Sequence, residues 1–441
     1  MKKPPIHLAF AVVLAAAFLG AVLPPAGKPA APPPAGGPAA PPPAVQLVET
    51  VPVESHLGNP ALPQAHEVWL DMIRGARERL DLEQFYVSTW PGEPLEDVLA
   101  AIGEAAKRGV RVRLLLDARM RATYPEPADS LGRLPGIQVR WIFMGPIAGG
   151  VQHSKYFLVD DREVFLGSQN FDWRALKHIH ELGVRVRDAR VTAAFREVFD
   201  LDWQAAGEQM AGRDSSAAGI KAGMSRGPRG VYPLHLVQAP GDTVDLWPSY
   251  TPKSFIPDTT RWDLDAIVRL LDAARHEAVV QLLSYSPKER NEQDEAIDAA
   301  LRRAAERGVK VRLLISDWEA DGPRIRTLQS LSQVPNVEAR LSTVPEWSGG
   351  YIPYGRVEHC KYLVVDSLWT WVGTSNWEPG YFHGSRNLAV TTRNRPLAIQ
   401  ARGIFETSWV APGAAPVRAD STYAPKAHGM APPPGKQVYG R

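Results

Sequence analysis

One polar motif occurs twice in the chain, and this duplication restricts the possible fold more than any other feature. "HSKYFLVD" begins at His153 and "HCKYLVVD" begins at His359, so both copies read His-x-Lys-x-x-x-x-Asp. A glycine follows each aspartate by seven residues, in "GSQN" and "GTSN", and the two extended motifs lie 206 positions apart. One short motif is often a chance match, whereas two extended copies at one offset are not.

A second pair of segments indicates that a whole structural unit is duplicated. Residues 105–115 read "AAKRGVRVRLL" and residues 304–314 read "AAERGVKVRLL". Each combines a helix end, a glycine that can end the helix in the left-handed conformation, and a strand with alternating apolar residues. The offset here is 199, so the second copy has gained about seven residues before its motif. The sequence therefore predicts a duplicated domain built from αβ units.

Composition sets the outer boundaries of the two copies. At 441 residues the chain can bury two ordinary cores. An apolar run follows Lys2 and Lys3, which is typical of a signal peptide or a short membrane anchor, and both interpretations stay open. The predicted regions are a signal peptide or anchor (1–23), a Pro/Ala-rich linker (24–47), a first lobe (48–205), a linker or long loop (206–255), a second lobe (256–410) and a disordered tail (411–441).

The N-terminal segment and the cysteine content together predict an exported protein. Cys360 is the only cysteine, so no internal disulfide can form, and the sequence contains no Asn-x-Ser/Thr site. This combination favours a bacterial periplasm or cell envelope, with the protein secreted or anchored by its N-terminal segment. The net charge of +2 is too small to predict nucleic-acid binding by itself, and it leaves room for a local basic groove.

The motif segments are rich in β-branched and aromatic residues, which predicts strands. Residues two apart on a strand share a face, so His153 and Lys155 point the same way, as do His359 and Lys361. Each strand thus presents one titratable imidazole beside one cation.

The remaining polar residues of each motif flank these strands. Asp160 and Asp366 lie at the strand ends with opposite parity, so they are better placed to hold a turn than to touch a substrate. Neutral donors follow from the next strand of each copy, namely Ser168, Asn170, Thr374 and Asn376.

Two histidines, two lysines and two asparagines brought together about a pseudo-twofold axis would suit a phosphodiester substrate. The cations and amides can neutralise the non-bridging oxygens as charge develops. One imidazole can attack phosphorus while the other protonates the leaving oxygen and then activates water. Such a site requires neither a metal nor another cofactor, because the lysines already supply positive charge.

These motifs resemble those of the phospholipase D superfamily. "LGSQNFDWRALKHIHELGV", "GVKVRLLISDW" and "IPYGRVEHCKYLVVD" are similar to the animal lysosomal phospholipase D-like 5′-exonucleases, and the likeness extends over about residues 48–410. The resemblance implies an α/β fold of two homologous lobes, each a mixed β-sheet flanked by helices. It also implies a covalent phosphohistidine intermediate and no metal. The luminal disulfides and glycans of the animal proteins have no counterpart here, so their substrate gating is not carried over.

The resemblance also assigns roles to individual residues. His153 and His359 form the pair of nucleophile and general acid, and we favour His153 as the nucleophile. Glu181 lies where the family places a carboxylate that orients an imidazole, and its equivalent in the second copy is Asn387. The resemblance implies that Lys155, Lys361, Asn170 and Asn376 bind phosphate and that Asp160 and Asp366 are structural members of the motif. Ser168 and Thr374 are added as predicted phosphate-binding residues because they are neutral donors beside the asparagines.

Two further segments have alternative interpretations. "HIHE", from His178 to Glu181, could bind a metal through two imidazoles on one strand. Several aromatic residues near the motifs could either stack the bases of a single strand or fill the core. They are Phe171, Trp173, Trp377, Tyr381 and Phe382.

Three functions follow as hypotheses. The first is a metal-independent phosphodiesterase that acts as a 5′-exonuclease on single-stranded nucleic acid. The second is a phospholipase D or transphosphatidylase that acts on membrane phospholipids near the N-terminal anchor. The third, a non-catalytic envelope protein, is disfavoured because both motifs are intact.

Overall fold

The computed structural model describes residues 42–223, 230–289, 292–320, 322–424 and 426–440. The predicted signal peptide or anchor, and all but the end of the predicted Pro/Ala linker, lie outside these residues. None of the helices in the described part of the chain has the length and apolarity needed to cross a bilayer.

The first copy of the repeat folds around one mixed sheet of seven strands. Their spatial order is Val45–Thr50, Glu181–Val186, Glu163–Gly167, Tyr156–Val159, Arg79–Gln84, Arg111–Asp117 and Ile137–Ile142. The last three strands pair in parallel and the others pair antiparallel. The first lobe therefore begins at Val45, slightly before the predicted boundary at residue 48.

The second copy repeats this arrangement in a sheet of nine strands. Their spatial order is Leu234–Ala239, Asp242–Thr251, Asn387–Arg393, Trp369–Gly373, Lys361–Val365, Glu277–Leu282, Lys310–Ser316, Val337–Ser342 and Ala414–Pro416. Two short ladders lie outside the sheets and pair Val87–Ser88 with Phe171–Asp172 and Lys288–Glu289 with Glu292–Gln293.

Helices flank both sheets, as the predicted fold requires. Those of the first lobe are Ala65–Arg74, Leu95–Lys107, Glu126–Gly132, Met144–Ala148, Ala189–Met210 and Ala217–Gly223. Those of the second lobe are Asp263–Ala273, Ala296–Glu306, Gly322–Leu331, Pro379–His383 and Arg395–Trp409. In Leu95–Lys107 the buried positions include 95, 98, 102 and 105, a helical spacing that turns one apolar face towards the sheet. The prediction of two α/β lobes with mixed sheets is confirmed.

The duplicated αβ unit is also confirmed. Helix Leu95–Lys107 is followed by strand Arg111–Asp117, and Gly109 between them has a φ of +91°. Gly308, at the same point of the second copy, has a φ of +87°. Only glycine adopts this left-handed conformation at little cost, which explains why both copies have a glycine there.

A buried ion pair and a shared apolar core join the two lobes into one compact unit. Arg386 is fully buried and lies 2.6 Å and 2.7 Å from the two carboxylate oxygens of Asp202, which belongs to the long helix of the first lobe. Apolar residues from both lobes, among them Phe195 and Ile404, belong to the same core cluster. The position of one motif relative to the other is therefore fixed by packing.

The prediction of a linker over residues 206–255 is wrong for most of that segment. Helix Ala189–Met210 continues past residue 205, and Leu234–Ala239 and Asp242–Thr251 form a hairpin at the edge of the second sheet. Leu236 and Val244 are buried and bring apolar side chains into the core. The high content of Gly, Ser and Ala before this hairpin hid its alternating pattern.

The prediction of a disordered tail over residues 411–441 is also wrong for the described residues. Ala414–Pro416 adds an antiparallel strand beside Val337–Ser342. Further along, Tyr439 donates a hydrogen bond to Glu93 (2.8 Å) and packs against Trp347, with ring centroids 4.9 Å apart. These sparse contacts hold the tail although few of its residues are apolar.

Candidate active site

The two motif histidines lie where the lobes meet, and each is held by backbone of the other copy. His153 donates its backbone N–H to the carbonyl of Arg386 (3.0 Å), and His359 donates its own to the carbonyl of His180 (2.9 Å). Isolated parallel bridges pair Gln152 with Arg386 and His180 with Glu358. The repeats are therefore interlocked at the motifs themselves.

The imidazole rings are oriented across the lobe boundary as well. Nδ1 of His359 lies 2.7 Å from Oε2 of Glu181, and Nδ1 of His153 lies 3.0 Å from Oδ1 of Asn387. The amide of Asn387 has a defined orientation, because its Nδ2 donates to the carbonyl of Tyr381 (2.9 Å). Each repeat thus supplies the residue that orients the histidine of the other repeat.

Two buried lysines supply the positive charge of the site. Lys155 and Lys361 are 1% and 0% exposed, and each ammonium donates to the backbone carbonyl of its own motif histidine. Burial and the nearby Lys361 hold the pKa of Lys155 well below its usual value, and burial lowers the pKa of Lys361 to about 8. A bound anion would raise both pKa values and keep both lysines charged.

The two motif asparagines are also poised for a ligand. Asn170 and Asn376 are buried at 8% and 3% exposure, and the side-chain oxygen of each lacks a hydrogen-bond partner among the described residues. Buried amides are usually fully paired, so these two oxygens are open to a donor from water or from a ligand at both equivalent positions.

The motif hydroxyls face the orienting residues. Ser168 accepts a hydrogen bond from the backbone N–H of Leu182 (3.0 Å), and Thr374 donates to Oδ1 of Asn387 (3.0 Å). Both residues are fully buried. This geometry gives them a positioning role beside Glu181 and Asn387, and their direct contact with phosphate stays a prediction.

The motif aspartates lie at the far ends of the strands. Asp160 accepts backbone N–H groups of residues 77, 78 and 79, and Asp366 accepts those of residues 275, 276 and 277. Both have a left-handed φ, of 52° and 54°. They hold the turn that enters the neighbouring strand, away from the motif histidines.

The two motif histidines differ in how they hold protons. Burial, together with Lys155 and Lys361, holds the pKa of His153 well below its usual value, so this ring is neutral. Its Nδ1–H donates to an amide oxygen, which leaves the lone pair on Nε2.

His359 instead shares a proton with a carboxylate. Burial raises the pKa of Glu181 to about 8, while burial and the lysines lower that of His359. The pair therefore holds one proton beyond the neutral ring up to about pH 8. Wherever that proton lies between the two groups, Nε2 of His359 carries a hydrogen.

Most of the aromatic residues proposed for base stacking belong to the core. Phe171, Trp377 and Phe382 are 0%, 1% and 2% exposed, and Phe171 is stacked on Trp69. Trp173 is 7% exposed, so it offers little surface either. Of the five, Tyr381 alone reaches the site, where its ring meets the edge of His153 at 4.7 Å.

Sequence reasoning missed the aromatic wall on the other side of His153. Phe85 packs edge-to-face on His153 at 5.1 Å, and Tyr86 beside it stacks on Tyr124 at 4.8 Å. All three are partly exposed. The available signal was the position of "FY" directly after strand Arg79–Gln84, which pairs with the motif strand.

The two histidines of the "HIHE" segment do not form a joint site. The ring nitrogens of His178 have no hydrogen-bond partner in the described part of the chain, burial lowers its pKa to about 3, and its ring packs on Trp347 at 4.7 Å. His180 is bonded through both nitrogens to carboxylates, Glu358 at 2.7 Å and Glu49 at 2.9 Å. Cys360 lies close to His180 and Glu358, but the nitrogens of the ring are already occupied.

A fold of two interlocked α/β lobes with paired His-Lys-Asn sets at their boundary defines a class of phosphodiester-processing protein, and comparisons identify its family. A family model described as "Cardiolipin synthase, PLD-like domain" matches residues 69–203 and 267–409. The chain belongs to the phospholipase D superfamily and is a phosphodiesterase of that superfamily.

Individual relatives are similar over most of their length. Phospholipase D Z of Dictyostelium discoideum is 29% identical over 392 residues, which cover 85% of this chain and 91% of that protein. The human 5′-3′ exonuclease PLD3 is 32% identical over 405 residues, covering 83% and 79% respectively. Phosphatidylserine synthase from Haemophilus influenzae has the same fold, with a TM-score of 0.58 at 12% identity over 85% of this chain and 88% of that one.

Proposed function

We propose that the protein is a metal-independent 5′-exonuclease that cleaves single-stranded nucleic acid through a phosphohistidine intermediate. The observation that carries the proposal is the difference between the two imidazole partners. Asn387 leaves His153 with a free lone pair on Nε2, whereas Glu181 keeps a proton available on Nε2 of His359. One ring is thus prepared as a nucleophile and the other as an acid.

In the first step, Nε2 of His153 attacks phosphorus and forms an N–P bond. The bond between phosphorus and the leaving oxygen breaks, and Nε2–H of His359 gives its proton to that oxygen. In the second step, the free Nε2 of His359 takes a proton from water. The resulting hydroxide attacks phosphorus, and the N–P bond breaks with its electron pair returning to His153.

Lys155 and Lys361 stabilise the negative charge that develops on the phosphoryl oxygens during both steps. They are buried, so their charges act at low effective dielectric and need no reorganisation. Asn170 and Asn376 add amide groups on the two sides of the pseudo-twofold axis. The predicted export of the protein by its N-terminal segment remains part of the proposal.

Two observations favour nucleic acid as the substrate. The human relative named an exonuclease is 32% identical to this chain. The wall of the site also carries partly exposed aromatic rings, Phe85 and Tyr381 against His153 and the Tyr86–Tyr124 stack beyond them, against which unstacked bases can lie.

Cleavage of phospholipids is the second candidate. The Dictyostelium relative named phospholipase D aligns over 91% of its own length, slightly more than the 79% of the exonuclease. Both chemistries require the same two histidines and two lysines, so the walls of the site decide between them.

The test compares two substrates with the same purified full chain. One is a 5′-hydroxyl single-stranded oligonucleotide, and the other is phosphatidylglycerol in micelles. We expect mononucleotides to be released stepwise from the 5′ end, at a rate that falls with added salt. Release of a lipid head group without any nucleotide would refute the exonuclease and establish the second candidate. The His153→Ala variant is the control for contaminating nucleases.

A further inference from the structure

Behind His359 lies a group of buried charges that the reaction itself does not use. His180 is 0% exposed, and its two ring nitrogens lie 2.7 Å from Oε2 of Glu358 and 2.9 Å from Oε1 of Glu49. Both glutamates are also fully buried. We call these three residues the buried carboxylate network.

The network carries a net negative charge. A neutral imidazole has only one N–H, so a ring between two carboxylates is best satisfied as an imidazolium. Burial by itself lowers the pKa of His180, but its contacts with Cys360 and with the charged Glu358 outweigh this effect and raise that pKa well above the usual value. Burial raises the pKa of Glu358, but the charge and hydrogen bond of His180 outweigh it, so this carboxyl is ionised. The two N···O contacts of the ring are satisfied by two protons shared among the three groups, one more than a neutral ring carries, and this leaves the network with a charge of −1.

Chain connections and hydrogen bonds link the network to His359 and to Glu181. The carbonyl of His180 accepts the backbone N–H of His359 (2.9 Å), and Glu181 follows His180 directly in the chain. On the other side, Oε1 of Glu358 accepts the backbone N–H of Cys360 (3.1 Å). Residues of the network therefore hold the backbone N–H of His359 and that of the residue after it.

The equivalent region behind His153 is built differently. Arg386 occupies the position of His180, 206 residues later, and forms a neutral pair with Asp202. Burial and the neighbouring Asp202 raise the pKa of Glu83 there well above its usual value, so Glu83 is protonated and neutral. Asp117 also lies near this histidine, and burial raises its pKa to about 6.

We propose that the buried carboxylate network makes His359, and not His153, the proton donor. Its negative charge favours the protonated form of the Glu181–His359 pair, and its hydrogen bonds set the position of that pair. The network is thus a positioning element. This inference rests on the proposed function and deepens it, because it explains which of the two motif histidines takes which role.

Several charges act on the pair, and the network supplies one of them. The charged and titratable groups that face His359 are Lys155, Lys361, Glu181, Glu358, Asp172 and His153. The lysines favour loss of the proton, whereas Glu358 and Asp172 oppose it. Glu358 also favours the protonated form of Glu181. Removal of the Glu358 charge therefore shifts the whole pair towards deprotonation.

The test is the pH profile of kcat/KM on the oligonucleotide for three isosteric variants of the full chain. Glu358→Gln and Glu49→Gln each replace a carboxyl group of the network by an amide that cannot ionise. Glu83→Gln is the matched control, since it changes an equally buried carboxyl that carries no charge.

We expect the alkaline limb of the profile to move down by about one pH unit in Glu358→Gln, in the range that the loss of one nearby charge produces. Glu49→Gln should move it in the same direction by less, and Glu83→Gln should leave it in place. A purely structural role would lower the rate at every pH without moving the limb. An unmoved limb in a folded Glu358→Gln variant, or an equal shift in the control, overturns the proposal. If Glu358→Gln does not fold, Glu49→Gln decides by the same criterion.

An NMR titration of the histidine ring nitrogens provides a readout that needs no activity. The pH at which the Glu181–His359 pair loses its proton should fall in Glu358→Gln relative to the unaltered chain. An inactive wild-type chain would contradict the exonuclease proposal and leave this titration unaffected. An unchanged titration in an active enzyme would contradict only the role of the network.

Discussion

Replacement of Glu181 by glutamine separates the role of acid from the role of nucleophile. The amide introduced by Glu181→Gln keeps a hydrogen-bond acceptor beside the ring of His359, where the carboxylate oxygen lies 2.7 Å from Nδ1, but it cannot hold the shared proton. With the Glu181 pKa at about 8, the pair is roughly nine-tenths protonated at pH 7. Without the carboxylate, His359 is left with a pKa below its usual value and is mostly neutral.

The size of the effect depends on the leaving group. A positioned general acid contributes about 10²–10⁴-fold when the departing oxygen is a poor leaving group. We therefore expect Glu181→Gln to lower kcat/KM by about 10²-fold on an oligonucleotide, where a sugar hydroxyl leaves. On a p-nitrophenyl phosphodiester, whose phenolate leaves without a proton, we expect a loss below about tenfold.

The assay measures both substrates with Glu181→Gln and a control variant at several pH values. Glu163→Gln is the matched control, because Glu163 is an equally buried carboxylate that pairs with Arg185. It lies at the start of strand Glu163–Gly167, whereas the motif residues follow the end of that strand. Activity of Glu181→Gln on the oligonucleotide should recover partly as the pH falls. Equal losses on both substrates, or no loss on either, would refute the assignment of His359 as the acid.

Further predictions concern the mechanism and the lobe boundary. His153→Ala and His359→Ala should each lower turnover by several orders of magnitude in a folded protein, and near-normal activity in either would contradict a two-histidine mechanism. Activity should survive EDTA, whereas a loss restored by zinc would revive a metal site. When the pH is lowered well below 6.5, activity should persist, because His153 stays neutral there. When the pH is raised through about 8, activity should fall, because the Glu181–His359 pair loses its proton. A loss of activity on acidification that begins as soon as the pH is below 6.5 would contradict this. Asp202→Asn leaves Arg386 buried without its anion, so we expect the free energy of unfolding, measured by urea titration, to fall by about 3–5 kcal/mol. A fall of less than about 1 kcal/mol would contradict this.

The repeat and the chemistry of the motifs were predictable from sequence because they are local. The His-x-Lys spacing, the left-handed glycines after the helices and the strand pattern of the motifs each depend on a few neighbouring residues. The pairing of each motif histidine with an orienting residue of the other repeat was not predictable in the same way. Glu181 is near His153 in the chain, yet it orients His359, because the packing of one lobe on the other decides which ring it meets.

Burial explains the other differences. Phe171 and Trp377 follow the motif glycines, and a sequence pattern cannot distinguish an aromatic that faces the cleft from one that faces the core. Phe85 reaches the site because the strand that it follows, Arg79–Gln84, pairs with the motif strand. The hairpin within residues 234–251 depends on distant parts of the chain, since Asp242–Thr251 pairs with strand Asn387–Arg393 and the side chains of Leu236 and Val244 pack into the shared core.

Isolation of the covalent intermediate tests the central claim most directly. A p-nitrophenyl diester of thymidine 3′-phosphate can form the N–P bond without an acid, but hydrolysis of that bond still requires His359 as the base. In the His359→Ala variant we therefore expect a base-stable thymidylyl adduct to accumulate, and peptide mass spectrometry should place it on His153. The absence of any adduct while p-nitrophenolate is released, or an adduct that persists in a variant lacking both motif histidines, would contradict catalysis through a phosphohistidine.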